Sequence, residues 1–173
     1  MESQHEFFYD FFPSPLGPLW MVSNREGLCF ILREESQPAF LAGIAACAGF
    51  IPRRDSTRFG RWRQLFTGYF SGKRVLFDEP ISWTVGTSFQ KKIWNQMRKI
   101  PHGELRSYRW IADELKMGAA ARAVGNACGK NPLPIVVPCH RVVRHDGSLG
   151  GYTGGIGIKK KLLAIEGAPV PPS

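Results

Sequence analysis

Pro134-Ile135-Val136-Val137-Pro138-Cys139-His140-Arg141-Val142-Val143 places a thiol, an imidazole and a guanidinium in consecutive positions, behind an apolar run pinned by proline at both ends. Two prolines and several β-branched residues leave the backbone few options, so the stretch reads as extended or turn-like and not as a helix. A thiol held on such a segment suits a nucleophile, because reactivity falls steeply when attack geometry is loose. A base or cation beside the sulfur favours the thiolate, the reactive form. Cys29 and Cys47 have only apolar neighbours and read as packing. The four cysteines form no Cys-x-x-Cys pair, and His5 alone of the four histidines precedes residue 100, so no zinc-ligand spacing can be assembled in the first half.

The elements that must position this thiol fall into two halves. In the first, Phe7–Phe12, Leu19–Val22 and Leu28–Arg33 read as strands, joined by the turns Ser14-Pro15-Leu16-Gly17-Pro18 and Ser23-Asn24-Arg25-Glu26-Gly27. Residues 36–50 and Gly60–Phe70 carry helical periodicity, Ile51–Ser56 is a basic loop, and Val75–Phe77 and Ile81–Trp83 read as strand pieces. This is a small α/β domain in which nothing looks catalytic. A boundary falls near Thr84-Val85-Gly86, dividing the chain into residues 1–85, residues 86–168 and a proline-rich tail, 169–173, expected to be disordered.

Thr87-Ser88-Phe89-Gln90 has capping-box spacing ahead of an amphipathic helix with Phe89, Ile93, Trp94, Met97 and Ile100 on one face. Ser107 can cap a short helix over Tyr108–Lys116, Met117-Gly118 breaks it, and Ala119–Cys128 forms another. Short helix, glycine turn and second helix make a helix-turn-helix arrangement. The second helix is almost bare, with small residues at 119, 120, 121, 123, 125 and 127 and a single long cation, Arg122. That composition suits close approach to a narrow minor groove more than base reading in the major groove.

Charge agrees with such a partner. Of the net +9, residues 1–86 contribute nothing, with nine Lys/Arg against nine Asp/Glu, whereas residues 87–173 carry fourteen against five. A half this lopsided favours a polyanion, since neutralised phosphates release counterions. The start, Met1-Glu2-Ser3-Gln4-His5-Glu6, is acidic and polar, unlike a signal peptide, and no apolar run approaches a membrane span. A reducing, cytoplasmic or nuclear setting without membrane attachment is the expectation.

Taken together, Gly86-Thr87-Ser88-Phe89-Gln90, Ile93-Trp94, Ile100-Pro101-His102-Gly103-Glu104, Ser107-Tyr108, Ala121-Arg122-Ala123-Val124-Gly125, Asn131-Pro132, Pro138-Cys139-His140-Arg141 and Leu162-Leu163-Ala164-Ile165-Glu166-Gly167 resemble the O6-alkylguanine-DNA alkyltransferases. The match covers almost all of residues 86–168. The first half matches weakly, mainly through Ser14-Pro15-Leu16-Gly17-Pro18-Leu19 and Gly27-Leu28. The resemblance implies an α+β chain, with a ribonuclease-H-like N-terminal domain and a C-terminal winged helix-turn-helix-like domain that carries the active site.

It also implies single-use transfer of a methyl or other alkyl group to Cys139. The donor is O6 of guanine, or O4 of thymine, in double-stranded DNA, and no cofactor or metal is needed. His140 and Glu166 would relay the thiol proton. An extended backbone would turn His140 away from its neighbour's sulfur, so a bridging water is the natural link. Asn131 would tie the recognition helix to the active-site segment. Tyr108 would press on a phosphate or donate a proton to the leaving guanine, and Arg122 would fill the gap left by a flipped nucleotide. The resemblance extends the DNA contacts to Arg109, Ala120, Ala121, Lys130 and Arg141. It assigns the substrate pocket to Tyr152, Thr153, Val142, Pro134 and Lys159. Cys128 reads as packing, and the protein as a monomer. A non-catalytic alkylated-base binder would lack Cys139. A helix-turn-helix regulator or a Cys–His hydrolase would also use parts of this pattern.

Overall fold

A computed structural model describes residues 6–172; the reading of the extreme N-terminus as no signal peptide falls largely outside them. The first half builds a sheet of order β3-β2-β1-β4, from β1 (Phe8–Ser14), β2 (Gly17–Ser23), β3 (Leu28–Arg33) and a short β4 (Arg53–Arg54). The first three strands are an antiparallel meander and β4 runs parallel to β1 inside what the sequence suggested was a basic loop. Ser14 closes the first hairpin, its hydroxyl donating to the Gly17 carbonyl. Asn24 closes the second, accepting from the Glu26 and Gly27 N–H groups.

Both faces of this sheet are covered, which is why its strands read as near-continuous apolar runs. Tyr9, Trp20, Val22 and Phe30 pack against Phe40 and Ile44 of α1 (Gln37–Ala48). The alternate residues Phe8, Leu19, Met21, Leu28 and Ile31 join α2 (Gly60–Phe70) and the second half in one core. The segments at 75–77 and 81–83 are not strands. Only Ile81 bridges, beside Leu28, where Leu28 N–H donates to Pro80 and Ser82 N–H to Leu28. Further along the same edge, Ile31 N–H is taken by the Pro132 carbonyl, so the pairing stops at this one bridge.

Gly86, with φ of 93°, marks the passage to the second half; a Cβ there would lie 2.4 Å from the Trp94 ring. α3 (Ser88–Met97) starts on a full capping box between Thr87 and Gln90. α4 (Tyr108–Glu114) is capped by Ser107, and α5 (Ala121–Gly129) follows across Gly118. Trp94 Nε1 donates to the Ala127 carbonyl and locks α3 to α5. Two short parallel strands, β5 (Arg106–Ser107) and β6 (Val142–Val143), and α6 (Ile156–Ile165) complete the domain. The tail, expected to be disordered, is described to residue 172, and Leu149 N–H donates to the Pro172 carbonyl. No helix among the described residues is long and apolar enough to cross a membrane.

Candidate active site

The segment before Cys139 doubles back on itself. Val137 N–H donates to the Leu133 carbonyl at 2.8 Å, and Ile135 takes φ of 77°, a left-handed conformation unfavourable for a β-branched residue. Burial of Leu133, Ile135, Val136 and Val137 holds it there. Ile31 N–H of β3 donates to the Pro132 carbonyl, so the N-terminal sheet supports this turn. The stretch, read from sequence as extended or turn-like, then makes one 3-10 turn, Cys139–Arg141, closed by Arg141 N–H on the Pro138 carbonyl.

Asn131 fastens the turn to α5. Its Nδ2 donates to the Val137 carbonyl at 2.8 Å and to Cys139 Sγ at 3.2 Å, while Oδ1 accepts from Leu133 N–H. One side chain thus sets both the backbone and the sulfur.

His140 and Arg141 turn away from the sulfur, toward Glu166. Glu166 Oε1 lies 2.6 Å from His140 Nε2, 3.0 Å from an Arg141 terminal nitrogen and 2.8 Å from the Tyr69 hydroxyl. Its Oε2 accepts from Arg141 Nε at 2.9 Å and from Gly103 N–H at 3.0 Å. Gly103, with φ of 80°, is what the Ile100-Pro101-His102-Gly103 turn contributes. Arg141 also donates to the Ile100 carbonyl and is buried. The expectation that Arg141 meets DNA is therefore corrected: its fork is spent on a buried carboxylate, a bidentate geometry arginine is built for.

These contacts set the protonation states. Burial opposes charge on Glu166, but hydrogen bonds and charge from His140 and Arg141 win and hold the carboxyl well below its usual range. Burial pushes the His140 pKa down, leaving a neutral ring whose Nε2–H donates to Glu166. Its Nδ1 is buried without a hydrogen-bond partner among the described residues and is the free acceptor. Burial also pushes the Cys139 thiol up, against opposing influences from Asn131, Lys159 and Tyr152. Burial thus favours the thiol at rest, in keeping with a relay that must remove its proton.

Lys159 and Val142 are also corrected. Lys159, expected to line the substrate pocket, is buried, with Nζ donating to the Val142 and Leu149 carbonyls. Burial brings its pKa down to about 8. Its ammonium staples the loop 149–151 to β6. Val142 is fully buried and offers only its carbonyl.

A cleft of about 930 Å3 opens on the other side of Cys139, walled by Tyr108, Arg109, Ala121, Arg122, Tyr152 and Thr153. Ala120 and Lys130 lie outside its wall, Lys130 exposed. Burial raises the Tyr108 phenol to about 12, so it stays protonated. Thr153 donates its hydroxyl to the Gly129 carbonyl at the end of α5, fixing the glycine loop. A smaller recess of about 320 Å3, including Pro134, meets the cleft at Cys139 and reaches Leu16, Leu19 and Ile31 of the first domain. Among the described residues no group of His, Cys, Asp and Glu could hold a metal.

Sequence reasoning missed three residues. Arg144 and His145, exposed on the cleft wall, follow the Cys-His-Arg run directly, and their charge in a turn before Asp146-Gly147 was the available signal. Tyr69, on α2, lies 71 residues before His140 and gave no signal at all.

Residues 7–83 match the family model described as the 6-O-methylguanine DNA methyltransferase ribonuclease-like domain, and residues 88–168 the DNA binding domain of the same family. A methylated-DNA–protein-cysteine methyltransferase of Methanosarcina acetivorans is 38% identical over 93% of this chain and 99% of its own length. The inducible Bacillus subtilis protein of that name is 48% identical over 85% of this chain and 83% of its own. The Mycobacterium tuberculosis OGT solved in complex with DNA superposes with a TM-score of 0.81 at 36% identity, covering 95% of each chain.

Proposed function

The chain belongs to the 6-O-methylguanine DNA methyltransferase family, and on that premise we propose that Cys139 is the acceptor in a single-use repair of alkylated DNA by direct reversal. The observation that carries the assignment is the position of the sulfur. It lies between a polyanion-facing cleft and a buried His140–Glu166 pair with an open acceptor nitrogen.

The steps follow from the groups in place. A nucleotide extruded from the duplex enters the cleft, since O6 of a stacked guanine offers no in-line path to a protein sulfur. Arg122, on the small-residue face of α5, occupies the gap in the stack. His140 Nδ1 takes the Cys139 proton through a bridging water, and Glu166 stabilises the imidazolium through Nε2–H. The sulfur forms its bond to the alkyl carbon as the carbon–O6 bond breaks. The electron pair leaves on the guanine, which takes a proton from Tyr108. The product thioether is neutral and a poor leaving group, so each molecule acts once; no cofactor enters.

The same chemistry serves O4-alkylthymine, whose alkyl–oxygen bond is equivalent. One chain supplies every group used, so the working form is a monomer, acting wherever the genome lies. Residues 1–85 and 86–168 form its two domains.

Intact-protein mass after incubation with duplex DNA containing O6-methylguanine tests the assignment. One methyl in place of one hydrogen, on Cys139 and in stoichiometric amount, is expected. Cys139→Ala should take up none while still binding duplex. An unmodified sulfur in folded protein given excess lesion would overturn the reading in favour of a damage sensor.

A further inference from the structure

We infer that Tyr69, a residue of the N-terminal domain, is a positioning residue for alkyl transfer, setting the orientation and basicity of His140 through the oxygen of Glu166 that the two side chains share. The inference rests on the acceptor reading of Cys139.

The geometry is specific. The Tyr69 hydroxyl donates to Glu166 Oε1 at 2.8 Å, and the same oxygen lies 2.6 Å from His140 Nε2. The hydroxyl is also 3.4 Å from that Nε2, so the three polar groups form a compact triangle. Tyr69 is fully buried, and its phenol is pushed upward first by burial and then by the charge of Glu166. It remains a donor across the working pH range. Its ring meets Phe70 and His102 edge-on, which holds the ring, and with it the phenolic oxygen, in place.

A phenol in this position does two things. Its donation draws charge from Oε1, which weakens the carboxylate's pull on the imidazole proton and keeps His140 from becoming a stable imidazolium. It also closes the side of the triangle along which the His140 ring could tilt. The other charged or titratable groups facing the pair are Arg141 on the same carboxylate, Lys159 of α6, and His102 with Arg74 behind it. Among the described residues, no other side chain of the first domain hydrogen-bonds to His140 or Glu166. The N-terminal domain therefore completes the proton relay as well as packing behind it.

Single-turnover transfer from O6-methylguanine duplex, followed across the histidine titration range, tests this. Tyr69→Phe keeps the ring and removes the donor, so transfer at neutral pH should slow about tenfold. Without the donor the carboxylate pulls harder, so the acid limb of the profile should move to higher pH by about half to one unit. Tyr69→Gln packs less well but restores an N–H donor, and should recover part of both effects. If packing alone matters, Phe is the milder change and neither variant moves the limb. In a Glu166→Gln background, Tyr69→Phe should add nothing further. Wild-type protein that takes up no methyl defeats the acceptor reading itself. Wild-type uptake with a superimposable Tyr69→Phe profile defeats only the role given to Tyr69.

Discussion

The two sides of Cys139 are built on opposite principles. On the buried side a single carboxylate accepts from Tyr69, Gly103, His140 and Arg141, and nothing about the arrangement waits for substrate. On the cleft side Arg109, Arg122, Arg144 and His145 are exposed or half-exposed along a wide opening. Preorganised donors cost no rearrangement when charge moves, which is what a proton relay requires. Exposed arginines can track a phosphate backbone whose sequence varies, and they gain their energy from counterions released on contact. On the proposed function, chemistry falls to rigid, desolvated groups and recognition to solvated ones.

The largest test of that contrast is Glu166→Ala. It would strand Arg141 as a buried charge beside an unsupported His140, and should cost about 3–5 kcal/mol of unfolding free energy. Alkyl uptake should be lost even where the protein remains folded. Denaturant unfolding and intact mass read the two losses separately. Arg141→Leu comes next. It should cost about 2–4 kcal/mol by leaving Glu166 short of donors, yet leave affinity for undamaged duplex near that of wild type. A large loss of DNA binding in folded Arg141→Leu would return Arg141 to the surface role suggested by sequence.

Acid should expose the same asymmetry. His140 is held neutral below its ordinary value of 6.5, and Glu166 is held charged below its ordinary 4.5. In both cases the unfolded chain binds more protons, so stability falls as pH drops. The His140 contribution begins to go below about 6.5, and the Glu166 contribution is lost as pH falls further, through its depressed folded value. A stability–pH curve flat from neutrality down to the ordinary carboxylate range would contradict the assigned states. In Glu166→Gln the lower part of the decline should shrink.

The smallest structural effects belong to the cleft. Arg122→Ala and Arg144→Ala should each change unfolding free energy by no more than about 0.5 kcal/mol. Removing an arginine that meets a phosphate should flatten the salt dependence of duplex binding by about one unit of slope. Arg122→Ala should also slow transfer from duplex while sparing reaction with free O6-methylguanine base, because the base needs no flipping.

Much of this was written locally. The Cys139-His140-Arg141 run, the Thr87 capping box, the bare face of α5 and the lopsided charge are all short-range patterns. Periodicity and capping express backbone physics a few residues at a time. So β3, α2 and the helix-turn-helix pair could be placed from residues alone. Their resemblance to a known family supplied Glu166 and Asn131, which neither spacing nor composition singles out.

Tertiary structure decided which way the neighbours of the sulfur face. Adjacency in sequence put a base and a cation beside the sulfur, where they would favour the thiolate, and the family resemblance sent Arg141 to DNA. A single 3-10 turn and the carboxylate from the end of α6 rotate both inward, while burial of the sulfur pushes its thiol up. The same holds for Lys159, read as a pocket residue and found stapling carbonyls, and for Tyr69, remote in the chain and bonded to Glu166. Electrostatic environment depends on what lies within a few ångströms, and in a folded chain most of that comes from distant sequence. The amino-acid order marks the sulfur proposed to react; the packing around it sets the burial and hydrogen bonds that hold its proton.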